Sequence, residues 1–247
     1  MKKILLLFML LIMLSGCGRS ENELVLATEA GFAPYEYYEE GEIVGVDIDI
    51  AREIAKELGK ELIIKDIAFD SIIMEVKTGK SDFAAAGISY TPERARAVAF
   101  SEDYAVSRQV VIVHENSDIK NINQISNKKI AVQLGSVADT YVTETYKDAT
   151  LVRQKKYLAT IQDLEDGKVD CVVMDELPAQ EILLKKNNLK ILDGALVEDS
   201  YGIVVRKGND DLLEVVNRVI KRMQEDGSLK ASILRHTEKY VNNGEYS

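Results

Sequence analysis

Two stretches of this chain, 88 residues apart, share one pattern that restricts how the chain can fold. They are VKTGKSDFAAAG, from Val76 to Gly87, and LEDGKVDCVVMD, from Leu164 to Asp175. Each combines a helix end, Gly-Lys, one variable residue, Asp and a short apolar strand. One interpretation is chance agreement at a common helix-to-strand turn. The other predicts two similar α/β lobes whose matching strands end at Gly87 and Asp175, and ligands of open α/β sheets bind outside such strand ends.

Strand and helix patterns alternate along the first part of the chain. ELVLAT and ELIIKDI predict strands, whereas GVDIDIAREIAKELG predicts a helix that stops at Gly59. A second helix, within DSIIMEVKTG, is predicted to be capped by Asp70 or Ser71 and to end at Gly79. This order predicts mostly parallel sheets with helices on both faces.

The two lobes need not be consecutive in sequence. QVVIVH predicts a strand that leaves the first lobe, and YGIVVRKG predicts a strand that returns to it. The amphipathic final helix, DDLLEVVNRVIKRMQEDG, is expected to close the first lobe. The resulting prediction is lobe 1 at 23–106 and 202–247, lobe 2 at 107–201, and a double-crossover hinge near 106–111 and 197–203.

The first twenty residues, MKKILLLFMLLIMLSGCGRS, have the pattern of a secretory signal. Residues 1–16 are predicted to be the signal peptide, because their apolar run is too short to span a membrane. Leu-Ser-Gly-Cys resembles the bacterial lipobox, which predicts lipidation of Cys17 and a tether over 17–22. The alternative is an ordinary cleaved signal in which Cys17 is incidental. The lipid is the only membrane attachment that we expect.

Charge and cysteine usage exclude several classes of partner. Removal of Lys2 and Lys3 with the signal peptide takes the formal charge from −10 to −12, which argues against nucleic acid and anionic lipid as partners. With Cys17 lipidated, Cys171 is the only other cysteine, so no intrachain disulfide is expected. The run CVVM predicts a buried Cys171. Two isolated histidines, His114 and His236, form neither a metal motif nor a catalytic set, and we expect no metal or cofactor.

An arginine in the stretch SYTPERARA stands where helix electrostatics disfavour it. Thr91 suits a helix N-cap, Pro92 the first helical position and Glu93 the positive end of the helix dipole. Arg94 also lies in this first turn, where a cation is disfavoured unless it and the helix face a shared anion. The alternative is a solvated arginine whose stem packs on the surface.

The second lobe offers a matching anion site. In VQLGSVADTYVTETY, Gly135 permits a tight turn and Ser136 caps a helix that runs through Tyr146. Free amides near Val137 and Ala138 would then point into the cleft. Many such turns bind nothing, but opposite Arg94 this one forms half of a carboxylate clamp.

Asp175 ends a buried strand in VVMDELPA. It is either the N-cap of the next helix or a carboxylate that receives a ligand ammonium. A guanidinium for a carboxylate and a carboxylate for an amine, on facing lobes, are the groups that recognise an α-amino acid.

At these residues the sequence resembles the extracytoplasmic solute-binding proteins of ABC transporters for polar amino acids. The resemblance extends over essentially the whole mature chain. It depends on GFAPYEY, GVDIDIAREIAKELG, FDSIIMEVKTGKSDFAAAGISYTPERARAVAFS, VQLGS and DGKVDCVVMDE. It implies a two-lobed fold of the type II periplasmic-binding-protein class, an amino acid ligand, an ABC permease as partner and a monomeric chain.

The resemblance also implies a role for each site residue. Arg94 would hold the α-carboxylate, and Gly87, Ser89 and Asp175 the α-amino group. The side chain would lie between Phe32 and Phe69, with Glu29 near its end. The family often has a hydroxyl at the position of Val137, where this chain offers only an amide. Apart from the resemblance, Gln133 and Met174 are expected to tune the pocket, and Gly135, which permits the tight turn, is counted with Gln133 among the ligand-binding residues.

The predicted ligand is a basic amino acid, namely arginine, lysine or ornithine, because of Glu29 and the overall acidity. Glutamine and cystine remain alternatives. An enzyme is the competing function, since the fold also resembles that of some secreted dehydratases, and Glu29 would be its acid or base. A sensor domain would need a spanning helix and a signalling module after the lobes, and the sequence to Ser247 contains neither.

Overall fold

A computed structural model of the chain describes residues 20–237. The predicted signal peptide, Cys17 and the last ten residues assigned to lobe 1 lie outside this range. The strands are β1 Glu23–Thr28, β2 Tyr37–Glu39, β3 Glu42–Val44, β4 Glu61–Asp66, β5 Phe83–Ala84, β6 Val98–Phe100, β7 Ala105–His114, β8 Lys129–Gln133, β9 Thr150–Gln154, β10 Cys171–Asp175, β11 Leu189–Ile191, β12 Val197–Tyr201 and β13 Val204–Arg206. The α-helices are α1 Val46–Leu58, α2 Phe69–Lys77, α3 Pro92–Ala97, α4 Val137–Thr145, α5 Tyr157–Glu165, α6 Glu176–Leu183, α7 Asp210–Glu225 and α8 Ser228–His236, with a short 3₁₀ helix at Ile122–Ile125.

The first lobe is built on a five-stranded sheet in the order β4-β1-β5-β13-β6. β1 pairs in parallel with β4 and β5, whereas β13 is antiparallel to β5 and β6. α1 ends at Gly59, whose φ of 64° closes the helix in the left-handed region. The apolar face of α7 buries Leu212, Val216, Val219, Ile220 and Met223 and packs on α1, as expected for a helix that closes this lobe.

The second lobe has a six-stranded sheet. Its main order is β11-β7-β10-β8-β9, and β12 also pairs with β7. β8 is parallel to β9 and β10, whereas β7 is antiparallel to β10, β11 and β12. The two-lobed α/β fold is therefore present, but both sheets are mixed. Within these two sheets the antiparallel pairings all involve β7 or β13, the strands next to the crossings between lobes.

The two crossings lie side by side. Residues Ala105–Gln109 of β7 pair antiparallel with Val197–Tyr201 of β12. On the side of the first lobe, the Ser101 amide donates to the Ile203 carbonyl at 2.8 Å, which joins the two crossing segments next to the first sheet. This arrangement suits a double-crossover hinge, although the exact lobe boundaries at 106/107 and 201/202 stay a prediction.

The start of α2 differs from the expectation. The predicted caps, Asp70 and Ser71, are wrong, because the helix begins at Phe69 and its N-cap is Ala68, which makes no side-chain capping bond. Asp70 lies in the first turn instead. Packing of Phe69 against the buried cluster around Ile72 and Val76 extends the helix beyond the point where capping chemistry alone would begin it.

None of the helices between residues 20 and 237 has the length and apolar character needed to cross a membrane. Cys171 is fully buried in β10, as its apolar context predicted, and burial raises the pKa of its thiol to about 12.

Candidate ligand-binding site

The carboxyl ends of the parallel strands from both lobes face one cavity. Nine of the ten predicted binding residues line it: Glu29, Phe32, Phe69, Gly87, Ser89, Arg94, Gln133, Val137 and Asp175. Gly135, the tenth, lies beside it and accepts a hydrogen bond from Arg94. Met174 is buried in the core and does not line the cavity. The structure thus brings the predicted residues together, while their roles remain predictions.

Arg94 is held by carbonyl groups from both lobes. The Thr91 hydroxyl accepts a hydrogen bond from the Arg94 amide at 3.1 Å, so the predicted N-cap is present. Nη1 donates to the Ser89 carbonyl at 2.7 Å, and Nη2 donates to the Gly135 carbonyl of the other lobe at 2.9 Å. The guanidinium carbon lies 5.3 Å from the centre of the Phe69 ring. No carboxylate within residues 20–237 forms an ion pair with Arg94, although Asp199 and Asp175 act on its charge from a longer distance, and the guanidinium lines the cavity.

The start of α4 completes this corner of the cavity. Gly135 has a φ of 79°, which confirms the tight turn, and the Ser136 hydroxyl accepts from the Asp139 amide at 3.1 Å. The amides of Val137 and Ala138 have no acceptor among the described residues. Two backbone donors and a guanidinium therefore surround one space, which is the arrangement that binds a carboxylate.

Asp175 is buried and surrounded by donors. Its side chain makes no capping bond to α6, although the residue is the N-cap by position. Oδ2 accepts from the Tyr157 hydroxyl at 3.1 Å. Oδ1 accepts from Ser107 Oγ at 2.7 Å, from Gln109 Nε2 at 2.8 Å and from the Tyr201 hydroxyl at 2.5 Å. These four donors stabilise a carboxylate at the cavity wall.

A second carboxyl group, Asp199, lies behind Asp175. The Gln109 amide bridges them, because Nε2 also donates to Asp199 Oδ2 at 3.0 Å. Burial, and then the charge of Asp175, raises the pKa of Asp199 to about 6. Sequence reasoning missed Asp199, since it lies in a crossing strand that matches none of the patterns used.

Aromatic rings form the apolar wall. Phe32 stacks on Tyr157 of the other lobe, with ring centres 5.0 Å apart and an interplanar angle of 20°. Gly87 has a φ of 54°, and a Cβ there would lie 2.6 Å from Phe32 Cε1, so glycine is needed for the ring to approach the strand end. Sequence reasoning missed Tyr157, but the repeat contained the signal: Tyr157 lies 88 residues after Phe69, and each begins its helix.

The Glu29 side chain is buried in the cavity wall, where it is 2% exposed. Gln133 Nε2 donates to Oε2 at 3.1 Å, and the Lys156 ammonium lies 3.3 Å from Oε1. Burial raises the pKa of Glu29, and Lys156 and Gln133 act against this rise. A buried carboxylate with a cation from the opposite lobe is the result.

Two further carboxyl groups lie under the cavity floor. Glu36 lines the cavity, and burial followed by the charge of Asp47 raises its pKa well above the ordinary range. Burial raises the pKa of Asp47 to about 6, and this carboxylate accepts from the Gly87 amide at 2.9 Å. Sequence reasoning used GFAPYEY and GVDIDI for the family resemblance but assigned neither acid.

A sequence model of the bacterial extracellular solute-binding proteins, family 3, matches residues 24–239. The chain belongs to this family. Arginine-binding extracellular protein ArtP of Bacillus subtilis (strain 168) is 25% identical over 220 residues, which cover 87% of this chain and 86% of ArtP.

Solved structures agree with this assignment. A mutant of ArgBP from T. maritima has 37% sequence identity and a TM-score of 0.84, over 87% of this chain and 95% of that one. An ancestral arginine-binding protein, solved with arginine and with glutamine, has 34% identity and a TM-score of 0.83, over 88% of this chain and 99% of that one. The two-lobed fold of the solute-binding protein is therefore that of the type II periplasmic binding proteins.

Proposed function

We propose that this solute-binding protein takes up an L-α-amino acid with a cationic side chain, arginine before lysine or ornithine, and delivers it to an ABC permease. Arg94 and the amides at the start of α4 would bind the α-carboxylate. Asp175, with the carbonyl of Gly87 and the hydroxyl of Ser89, would bind the α-ammonium. The side chain would extend along Phe32 towards Glu29.

The observation that carries this proposal is the excess of acidic groups around the cavity. Five acidic side chains line it or lie directly behind it, against the two cations Arg94 and Lys156; the five are Glu29, Glu36, Asp47, Asp175 and Asp199. Even with Glu36 protonated, the carboxylates outnumber the cations. An amino acid with one net positive charge offsets this excess, whereas a neutral zwitterion does not.

Glutamine is the second candidate, because Lys156 already neutralises Glu29. An amide could then hydrogen-bond to Gln133 and Glu29 without adding charge. That the ancestral relative was solved with both arginine and glutamine makes this comparison the decisive one.

A thermal-shift screen against the twenty amino acids plus ornithine and cystine tests the proposal. A ligand at about 100 times its dissociation constant adds roughly 2.7 kcal/mol to the free energy of unfolding, so the best ligand shows the largest shift. We expect arginine first, followed by lysine and ornithine. Tighter binding of glutamine than of arginine and lysine would show that the ligand class is wrong.

Binding is favoured over catalysis by the state of Glu29. A dehydratase would use this carboxyl group as its acid or base, but Gln133 Nε2 donates to one of its oxygens and the Lys156 ammonium lies 3.3 Å from the other. The family consists of solute-binding proteins.

We also propose that Cys17 is lipidated and tethers a monomeric protein to the outer face of the cell membrane. The support is the Leu-Ser-Gly-Cys sequence directly after the apolar segment. Cys17→Ser should release the protein from membranes and leave arginine affinity unchanged. Membrane fractionation that finds the variant retained would contradict the anchor.

A further inference from the structure

Lys156 forms an ion pair across the cleft at the end of the cavity. Its ammonium lies 3.3 Å from Glu29 Oε1 and 3.6 Å from Asp66 Oδ2, so two acids of the first lobe share one cation of the second. The Glu29 side chain is 2% exposed and that of Lys156 is 49% exposed. The buried partner is therefore fixed, while the cation reaches it from the solvent side on a flexible stem.

The position of Lys156 in its helix shows that the turn does not require it. It is the N-cap residue of α5 and makes no side-chain capping bond. The corresponding residue 88 positions earlier is Ala68, the N-cap of α2, which also makes none. The N-cap position therefore does not require a charged side chain, because alanine occupies it in the first lobe and lysine in the second. The contact that uses the charge of Lys156 is the ion pair with Glu29.

Asp66 is a second carboxylate with which Lys156 can pair, and it serves as the alternative resting place of the ammonium. Its Oδ1 accepts from the Ala30 amide at 3.0 Å and its Oδ2 from the Tyr38 hydroxyl at 3.1 Å, which hold the carboxylate in place. Asp66 does not line the ligand cavity, whereas Glu29 does. The Lys156 ammonium already lies within 4 Å of both carboxylates, so pairing with Asp66 alone needs no large movement.

We propose that Lys156 is a tethered competitor for the ligand's cationic head group: it neutralises Glu29, moves to Asp66 when a cationic ligand enters, and thereby sets the preference between cationic and neutral amino acids. This inference rests on the proposed function. A buried carboxylate is costly without a counter-charge, so Lys156 lowers the free energy of the protein before ligand arrives. Each cationic ligand must displace that pairing, and a neutral ligand need not.

Calorimetry of arginine and glutamine binding to wild type and Lys156→Met tests the competitor. Methionine keeps much of the stem and removes the charge. We expect arginine affinity to rise by about 5- to 30-fold, because one partner of the broken pair is buried. Glutamine affinity should change by less than about threefold, so the ratio of the two affinities rises.

Two further variants serve as controls. Lys155→Met removes an equal charge from the adjacent exposed residue, which accepts a hydrogen bond from Gln133 Nε2 at 3.1 Å through its backbone carbonyl and not through its side chain. It should leave the ratio unchanged. Lys156→Arg keeps the cation and should also leave arginine affinity close to wild type.

An arginine-to-glutamine affinity ratio that stays at the wild-type value, or falls, in folded Lys156→Met overturns the inference. Should that variant fail to fold, Asp66→Asn decides, since loss of the resting place must lower arginine affinity, and an unchanged affinity overturns the inference. Failure of the proposed function looks different: wild type would bind glutamine and not arginine. Even then the competitor predicts that Lys156→Met gains arginine binding.

Discussion

The two lobes form the same helix-to-strand turn, but the strands that follow the turn end in different residues at the cavity. In each copy an aspartate carboxylate accepts the amide of the neighbouring strand at 2.7 Å: Asp82 from Val25, and Asp170 from Lys129. In each copy that aspartate also returns its own amide to the same residue's carbonyl, at 2.9 and 2.8 Å. The 88-residue sequence repeat is therefore matched by a repeated turn in the structure.

The strands that follow these turns diverge at the cavity. The lobe 1 copy ends in Ala-Ala-Ala-Gly, which leaves bare backbone and room for the Phe32 ring at Gly87. The lobe 2 copy ends in Asp175, which places a carboxylate there with four donors. The two lobes therefore share the turn and the strand, whereas the chemistry offered to a ligand depends on the last residue of each strand.

The neighbouring strands show the same division. Glu29 lies four residues after Val25, and Gln133 lies four residues after Lys129, so they occupy matching places in the two lobes. They meet across the cleft at 3.1 Å. At this matched position, lobe 1 therefore supplies a carboxyl group, Glu29, and lobe 2 supplies a neutral amide, Gln133.

The largest loss of ligand affinity is expected for substitution of Asp175, the charged residue at the end of β10. Asp175→Asn should weaken binding of the amino acid by about 2 to 5 kcal/mol, because it removes the charge that faces the ligand ammonium. Calorimetry measures the loss. Asp170→Asn, five residues earlier at the turn, is the control and should leave the affinity unchanged. Less than threefold weakening in Asp175→Asn would remove this residue from the site.

Arg94 is a charged residue of lobe 1 that faces the ligand, and its substitution should weaken ligand binding by a similar amount. Arg94→Ala leaves the ligand carboxylate without its guanidinium and should cost about 2 to 5 kcal/mol of binding free energy. Arg96→Ala, on the exposed side of the same short helix, is the matched control. Equal effects of the two substitutions on calorimetric affinity would contradict the carboxylate clamp.

The charged member of the Glu29–Gln133 pair predicts a pH dependence. Only ionised Glu29 attracts a cationic head group, and burial raises its pKa above the ordinary value. Arginine affinity should therefore fall as the pH is lowered from about 7.5 to about 5, by up to about tenfold per pH unit, with proton release on binding.

Glutamine affinity should show less of this dependence. Glu29→Gln should abolish the difference and weaken arginine by about 1 to 3 kcal/mol, while the titrations of Asp47 and Asp199 remain. Identical pH profiles for arginine binding to wild type and Glu29→Gln would exclude Glu29 as the partner.

The shared turn predicts matched losses of stability. Asp82→Ala and Asp170→Ala each remove a charged acceptor from a strand amide and should each lower the free energy of unfolding by about 1 to 3 kcal/mol. Denaturant titration measures both. A loss in one variant only would mean that the two turns are alike in shape but not in energetics.

The smallest effect is expected at the glycines of these turns. Gly79 and Gly167 have φ values of 75° and 67°, a region that costs an L residue roughly 1 to 2 kcal/mol. Gly79→Ala and Gly167→Ala should therefore destabilise the protein similarly. The Arg206 guanidinium near Gly79 is the end of a flexible side chain and should move aside. Stability unchanged in both would remove the steric argument.

Much of the fold followed from local patterns. β1 and the end of α1 at Gly59 lie where periodicity and capping chemistry predicted them, and so do the cap at Thr91 and the tight turn at Gly135. Such features depend on neighbours in sequence. Predictions were weaker where distant packing decides, as at the start of α2, where Phe69 precedes the expected cap.

Local sequence patterns account for the chain's periodicity, its repeated turn and most of the strand-end residues at the cavity, because strand ends and glycine turns are local consequences of side-chain chemistry. Which of these groups come into contact depends on the tertiary structure. Glu29 is buried because Gln133 and Lys156 approach it from the other lobe, and Asp175 Oδ1 is hydrogen-bonded because Ser107 and Tyr201 come from the two crossing strands. Charge pairing and desolvation depend on such distances in space, which sequence separation does not reveal.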